Sequence, residues 1–209
     1  NSGLAFTLNK LIDNLENELY IFRMDSDDIC LLDRFETQVK YMNENESIMI
    51  CGGSIIEINN NKEHLFTRNY PRDLNEAKNY IYKASVFAHP TVCFRKGFFN
   101  LGYRYNSNNR FNEDIELWYK IIIDKIEISN LNKALLYFRK NDNFYKRRGL
   151  KKAFKEFQLY FNGNKKLFGL FNWRQLFPIL RLITRLLPGK LVEYIYQSKL
   201  RQKLNKTKS

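Results

Sequence analysis

Apolar residues recur at helical spacing at Leu4, Leu8, Leu11, Ile12 and Leu15, which predicts a helix over residues 3–16 entered from a loop at Gly3. The β-rich run Leu19-Tyr20-Ile21-Phe22-Arg23-Met24 predicts a buried strand, and it stops abruptly at Asp25-Ser26-Asp27-Asp28. Residues 33–43 carry an amphipathic helical pattern. Residues 48–58 predict one or two strands around Gly52-Gly53, and the polar stretch 59–73 predicts a loop or hairpin. A helix over 74–83 is followed by His89-Pro90-Thr91, a strand at 92–95, and a Gly- and Asn-rich loop at 97–109. Glu113 and Asp114 mark the first turn of another helix, with Asn112 at the N-cap position and Ile115, Trp118, Ile121 and Ile122 on the apolar face. Two short strands, 126–129 and 134–139, complete the pattern. Strands alternating with helices predict an α/β sandwich with a largely parallel sheet.

Beyond residue 145 the pattern changes. Residues 167–187 are rich in Leu, Ile, Phe and Trp, and Arg174, Arg181 and Arg185 fall within about 40° of one another on a helix. Pro178 kinks this helix or marks its true start, and Pro188-Gly189 separates it from a second basic helix at 190–206. Charge follows the same division. Residues 146–209 hold 17 Lys and Arg against two acids, Glu156 and Glu193, whereas residues 1–145 hold 18 against 20 acids. The expected organisation is a near-neutral α/β body, 1–145, and a basic amphipathic helical tail, 146–209, joined near 141–149.

A cationic tail implies a polyanionic partner, either a membrane surface or nucleic acid. The apolar stripe beside the arginines favours an anionic membrane surface, because nucleic acid accounts for the charge alone. No nucleic-acid partner is therefore expected. No run approaches the roughly 18–20 apolar residues that a spanning helix requires. Cys30, Cys51 and Cys93, like His64 and His89, have no spacing that suits a metal or a disulfide framework.

Oxygen-only ligands at a strand end, as in Asp25, Asp27 and Asp28, suit a hard cation such as Mg²⁺ or Mn²⁺. The plainer alternative is a solvated acidic turn. Asp114 or Glu113 suits a general base if it faces a cleft, and helix-dipole stabilisation is the plainer account of both. A lone His89 before a strand is more commonly structural.

Taken in order, five blocks resemble the inverting family 2 glycosyltransferases of the GT-A fold, most closely those of capsule, exopolysaccharide and O-antigen assembly. They are Asn1-x-Gly3-Leu4-Ala5; Arg23-Met24-Asp25-Ser26-Asp27-Asp28-Ile29 with Arg34-Phe35-Glu36-x-Gln38; Gly52-Gly53; His89-Pro90-Thr91-Val92-x-Phe94-Arg95; and Glu113-Asp114-x-x-Leu117-Trp118. The resemblance covers about residues 1–140. It implies that Asp25 approaches the donor ribose, Asp27 carries the metal on the diphosphate, and Asp28 orients their loop, with Asn1 and Gly3 on the donor side. It also implies that Asp114 is the base on the acceptor hydroxyl, with Glu113 beside it and His89 and Trp118 lining or supporting the acceptor side.

The family places further βα units, which hold the nucleobase, before the Asn-x-Gly block, so a GT-A domain without its first βα units is expected. The activity implied is transfer from a nucleotide sugar to a glycan or polyprenyl-linked saccharide at the inner face of the cell membrane, with Mg²⁺ or Mn²⁺. A non-catalytic membrane-docking protein, and more remotely a nucleic-acid-binding module, are the alternatives.

Overall fold

The computed structural model describes residues 3–109, 111–139 and 150–186, so the expected domain junction at 141–149 and the second basic helix at 190–206 lie outside the described residues. The chain divides into two compact units, Asn1–Arg147 and Arg148–Ser209. In the first, helices α1 (Leu4–Asp13), α2 (Arg34–Glu44), α3 (Leu74–Lys78), α4 (Lys96–Asn100) and α5 (Glu113–Ile123) accompany six strands. The strands are β1 (Tyr20–Phe22), β2 (Ile29–Cys30), β3 (Ile50–Ile58), β4 (His64–Arg68), β5 (Cys93–Arg95) and β6 (Ile128–Arg139), and they join one sheet in the order β1-β5-β3-β6-β2. One edge of β3 is shared by β5, at Ile50 and Cys51, and by β4, from Ile55 to Ile58; the other edge is taken by β6.

The α/β sandwich is as expected, but its sheet is mixed. Only β3 and β6 run parallel among the described strands, and every other pairing is antiparallel. The parallel expectation rested on strands alternating with helices, and that alternation fails where β3 turns directly into β4 as an antiparallel hairpin. The strand expected to be buried, β1, is half-exposed because it ends the sheet and pairs with β5 alone among described strands. The two strands expected at 126–129 and 134–139 are one strand, β6. Its register shifts where Gly53 faces Leu131 and Ser54 faces Ala134, so the polar Asn132-Lys133 step is a bulge and not a break.

Cys93 and Phe94 are successive residues of β5 and so point to opposite faces. Cys93 packs with Cys51 and Met42 of α2. Phe94 lies 6.3 Å from Trp118 of α5, centroid to centroid, in an aromatic layer that includes Phe87, 4.8 Å from the same ring. Helices thus cover both faces. The predicted apolar face of α5 is buried throughout, at Ile115, Trp118, Ile121 and Ile122. Gly52 is required where β3 passes this layer: a Cβ there would stand 2.4 Å from Asn130 Oδ1 and 2.6 Å from Phe87. The three cysteines are free, and burial pushes the Cys51 thiol up to about 12. In the expected loop 97–109, Phe98 and Phe99 are buried on a short helix, α4.

The described part of the second unit, residues 150–186, is a helical hairpin. Helix α6 (Leu150–Phe168) ends at Gly169, whose φ of +87° is the left-handed stop that glycine adopts without strain. Asn172 then accepts from the Arg174 amide, a 3₁₀ turn runs from Trp173 to Gln175, and α7 spans Leu176–Leu186. Of the two expectations for Pro178 the second holds: it lies in the first turn of α7, where its missing N–H costs nothing, while residues 167 and 168 end α6. Arg181 and Arg185 turn inward: Arg181 Nε donates to the buried Glu156 at 2.8 Å, and Arg185 Nη2 lies 2.9 Å from the same carboxylate. Among the described residues, no helix is long and apolar enough to cross a membrane.

Candidate active site

The end of β1 carries the acidic turn. Arg23 N bonds Val92 O at 3.0 Å, the last rung before the chain leaves the sheet, and Asp28 N closes the turn on Asp25 O at 3.3 Å. Two side chains fix this exit from opposite sides. The first is Arg34, a fully buried guanidinium whose Nη2 donates to Arg23 O at 2.9 Å and whose Nε donates to Gln38 Oε1 at 3.0 Å. Gln38 in turn donates to Cys51 O at 2.7 Å and to Thr91 O at 2.9 Å, so α2 holds the ends of β1, β3 and the His89–Thr91 turn together. The second is Arg139 at the end of β6, whose backbone N–H donates to Asp28 Oδ1 at 3.0 Å and whose Nε donates to Asp27 O at 3.1 Å.

So held, Asp25, Asp27 and Asp28 bring three carboxylate oxygens within 4.8 Å of one another. Burial, and then the neighbouring Asp25 and Asp27, push Asp28 up to about 6 against the Arg139 hydrogen bond, while its Oδ2 has no hydrogen-bond partner. Asp27 is exposed and Asp25 half-buried. A donor set of oxygens with one buried, unsatisfied atom fits a hard divalent cation. Arg23 pairs with Asp25 at 2.5 Å and offsets part of the charge.

The second acidic group stands at the start of α5. Asn112 is the N-cap residue, as expected, but it occupies the left-handed region, φ 59° and ψ 38°, and its side chain makes no capping hydrogen bond. The preceding loop is tied by Glu116, whose two oxygens accept from Asn106 and Asn109 at 2.7 Å each. Asp114 is half-buried. Desolvation, with a smaller push from Glu113, raises its carboxyl to about 6, and the Arg23 cation pulls the other way.

His89 is buried and held neutral, its pKa well below the usual range through desolvation and then the Arg23 charge. Its Nε2 meets Tyr105 Oη at 2.8 Å. Tyr105 is set by Asn9 of α1, whose side chain donates to Tyr105 O at 2.7 Å and accepts from Tyr105 N at 2.9 Å. Trp118 is fully buried and packs edge-on against His89 at 5.9 Å.

Arg23 links these groups. It pairs with Asp25 and acts electrostatically on Asp28, His89, Tyr105 and Asp114. The sequence pattern assigned no role to Arg23, Tyr105 or Arg139; the one available signal was an arginine inside an otherwise apolar strand two positions before the first aspartate. Gly3 opens α1 at φ 89°, with its carbonyl accepting from Thr7 N at 3.2 Å. Asn1 lies outside the described residues.

The family model described as "Glycosyl transferase family 2" matches residues 1–109. A Haemophilus influenzae protein described as an uncharacterized glycosyltransferase is 32% identical over 210 residues, which is 97% of this chain and 75% of that protein. The amylovoran biosynthesis glycosyltransferase AmsE of Erwinia amylovora is 31% identical over 94% of this chain and 73% of its own. The UDP-Gal:alpha-D-GlcNAc-diphosphoundecaprenol beta-1,3-galactosyltransferase of Escherichia coli is 28% identical over 97% and 73%. Among solved structures, S. aureus TarS in complex with UDP superposes with a TM-score of 0.52 at 16% identity, covering 90% of this chain and 56% of that one.

Proposed function

The chain belongs to glycosyl transferase family 2, and from that premise we propose that it transfers a sugar from a nucleotide-sugar donor to a glycan or polyprenyl-linked acceptor, with inversion, in bacterial surface polysaccharide synthesis. The observation that carries this reading is the pair of acidic groups gathered about Arg23: a three-carboxylate cluster at the end of β1 and a carboxyl raised to about 6 at the start of α5. The amylovoran and diphosphoundecaprenol relatives support the polysaccharide setting and the lipid-linked acceptor.

In this mechanism Asp114 accepts the proton of the acceptor hydroxyl. The hydroxyl oxygen bonds to the anomeric carbon as the bond from that carbon to the diphosphate oxygen breaks on the opposite face, which inverts the configuration. A carboxyl with a pKa near 6 is ionised at neutral pH and more basic than an ordinary aspartate, which suits it to that transfer. Glu113 borders the acceptor. Asp25 and Asp27 hold Mg²⁺ or Mn²⁺ and the donor, with Asp28 fixing the loop through Arg139. When bound, the cation offsets the charge that develops on the departing nucleoside diphosphate. His89 and Trp118 stiffen the acceptor side, and Asn1 and Gly3 belong to the donor side. Residues 1–145 are the catalytic part, and residues 146–209 attach the enzyme peripherally to an anionic membrane surface on the cytoplasmic side.

Calorimetric titration of uridine diphosphate with and without Mn²⁺ tests the site. Asp27→Asn should remove the Mn²⁺-dependent part of the affinity, because a neutral amide does not replace a carboxylate on a hard cation. Unchanged Mn²⁺ dependence would exclude Asp27 from the metal site.

A further inference from the structure

A helix pair that faces water puts its charges outside and its apolar residues between the helices. Helix α6 keeps to this, with Ala153 and Tyr160 buried and Lys151, Lys165 and Lys166 exposed, but α7 departs from it. The inner seam of the hairpin holds Glu156, 3% exposed, between Arg181 and Arg185, and Arg181 stacks on Tyr160 at 4.8 Å. The opposite side of α7 presents Leu176, Ile179, Leu180 and Ile183, each between 41% and 58% exposed and spread over an arc of about 100°. At the turn the same character continues, with Phe171 at 99% and Trp173 at 55% exposure. A contiguous exposed apolar patch of this kind marks a contact surface.

We propose that this apolar face of α7, with Phe171 at its tip, seats on an anionic phospholipid surface and lies in the plane of the headgroups. The proposal rests on the membrane-surface reading of residues 146–209 and adds which face makes the contact. Arg181 and Arg185, which the sequence pattern set beside the apolar stripe, are held by Glu156 within the hairpin and leave that stripe to make the contact.

Three observations favour lipid as the occupant. Residues 146–209 contain two acids, and one of them, Glu156, is neutralised inside the hairpin, so the exposed charge, such as Lys165 and Lys166 beside the turn, is cationic and complements an anionic surface. Aromatic side chains at the turn match the interfacial zone, where Trp in particular places a polar N–H among headgroups and its ring among acyl chains. The eleven residues of α7 span only about 16 Å and are apolar on one face, which suits a helix lying flat and not one that crosses.

The test is flotation of the full chain with phosphatidylglycerol–phosphatidylcholine vesicles and with pure phosphatidylcholine vesicles, at low and high salt. The expected result is binding to the anionic vesicles that persists in part at high salt, because screening weakens the charge contribution and leaves the apolar one. The triple variant Phe171→Ser, Leu180→Gln, Ile183→Gln should lose about tenfold or more of its partitioning and all of the salt-resistant part. If the unaltered chain ignores anionic vesicles, the membrane reading itself fails, and this inference with it. If the chain binds and the triple variant binds equally well, the reading survives and the inference is overturned. The inference is equally overturned if the variant's only effect is to convert a dimer to a monomer by light scattering. Should the variant misfold, hydrogen exchange on the unaltered chain decides: vesicles should protect the amides of residues 170–186, and unchanged exchange there overturns the proposal.

Discussion

Asp114→Asn should stabilise the folded protein at neutral pH and leave it unchanged in acid. The carboxyl is raised from the ordinary 3.8 to about 6, chiefly because folding withdraws it from water. Above about pH 7 it is ionised in both folded and unfolded chains, and the folded state bears the whole penalty. As the pH falls through 6 the folded form takes up its proton first, so the penalty shrinks. Below about pH 4 both forms are protonated and it is gone.

At about 1.4 kcal/mol per unit, two units give a ceiling of about 3 kcal/mol, and the partial exposure of the group leaves roughly 2. An amide of the same shape carries no such penalty. Urea denaturation followed by circular dichroism, at pH 7.5 and at pH 4, measures the difference directly. The variant should be more stable by about 2 kcal/mol at the higher pH, with the gap closing at the lower. Asp28, also raised to about 6, titrates identically in both proteins and cancels. A gap that is absent, reversed or independent of pH would refute the assignment of a strained carboxylate to Asp114.

The same substitution should lower sugar transfer by about 100-fold or more, and the rate of the unaltered enzyme should fall on the acid side of about pH 6, as a pH–rate profile would record. Gln38→Leu removes hydrogen bonds to two buried carbonyls and to the Arg34 guanidinium, and should cost about 3–5 kcal/mol in denaturant unfolding; a loss under about 1 kcal/mol would show that Gln38 does not brace the acidic turn. Glu156→Gln takes the central charge from between Arg181 and Arg185 and should destabilise the hairpin by about 3 kcal/mol, seen as loss of hydrogen-exchange protection in α6 and α7 while the α/β unit keeps its own.

Much of the site was legible because it is written locally. The aspartates follow an apolar run within a few residues, and the α5 face follows from the spacing of Ile115, Trp118, Ile121 and Ile122. What was not legible depends on partners far along the chain. Arg34 and Gln38 stood in a family-like block with no role attached, and both are fully buried because the carbonyls they satisfy belong to Arg23, Cys51 and Thr91. His89 gave no hint of Tyr105, nor Asp28 of Arg139. In the tail, three arginines on one side of a helix read as a cationic face, and only the fold brings Glu156, 25 positions before Arg181, to face two of them.

The clasp between Asp28 and Arg139 has a consequence for the birth of the protein. The two residues are 111 positions apart, and β6, which ends at Arg139, is also the only described parallel partner of β3. At about 5–20 residues per second a ribosome needs roughly 5–20 s to travel between them. During that interval α1, β1 and α2 are already made, but the acidic turn lacks the strand that shapes it. Closing so long a loop is costly in chain entropy, and parallel pairing across it is slow. The turn from Asp25 to Asp28 is therefore complete only once β6 has docked and Arg139 closes on it.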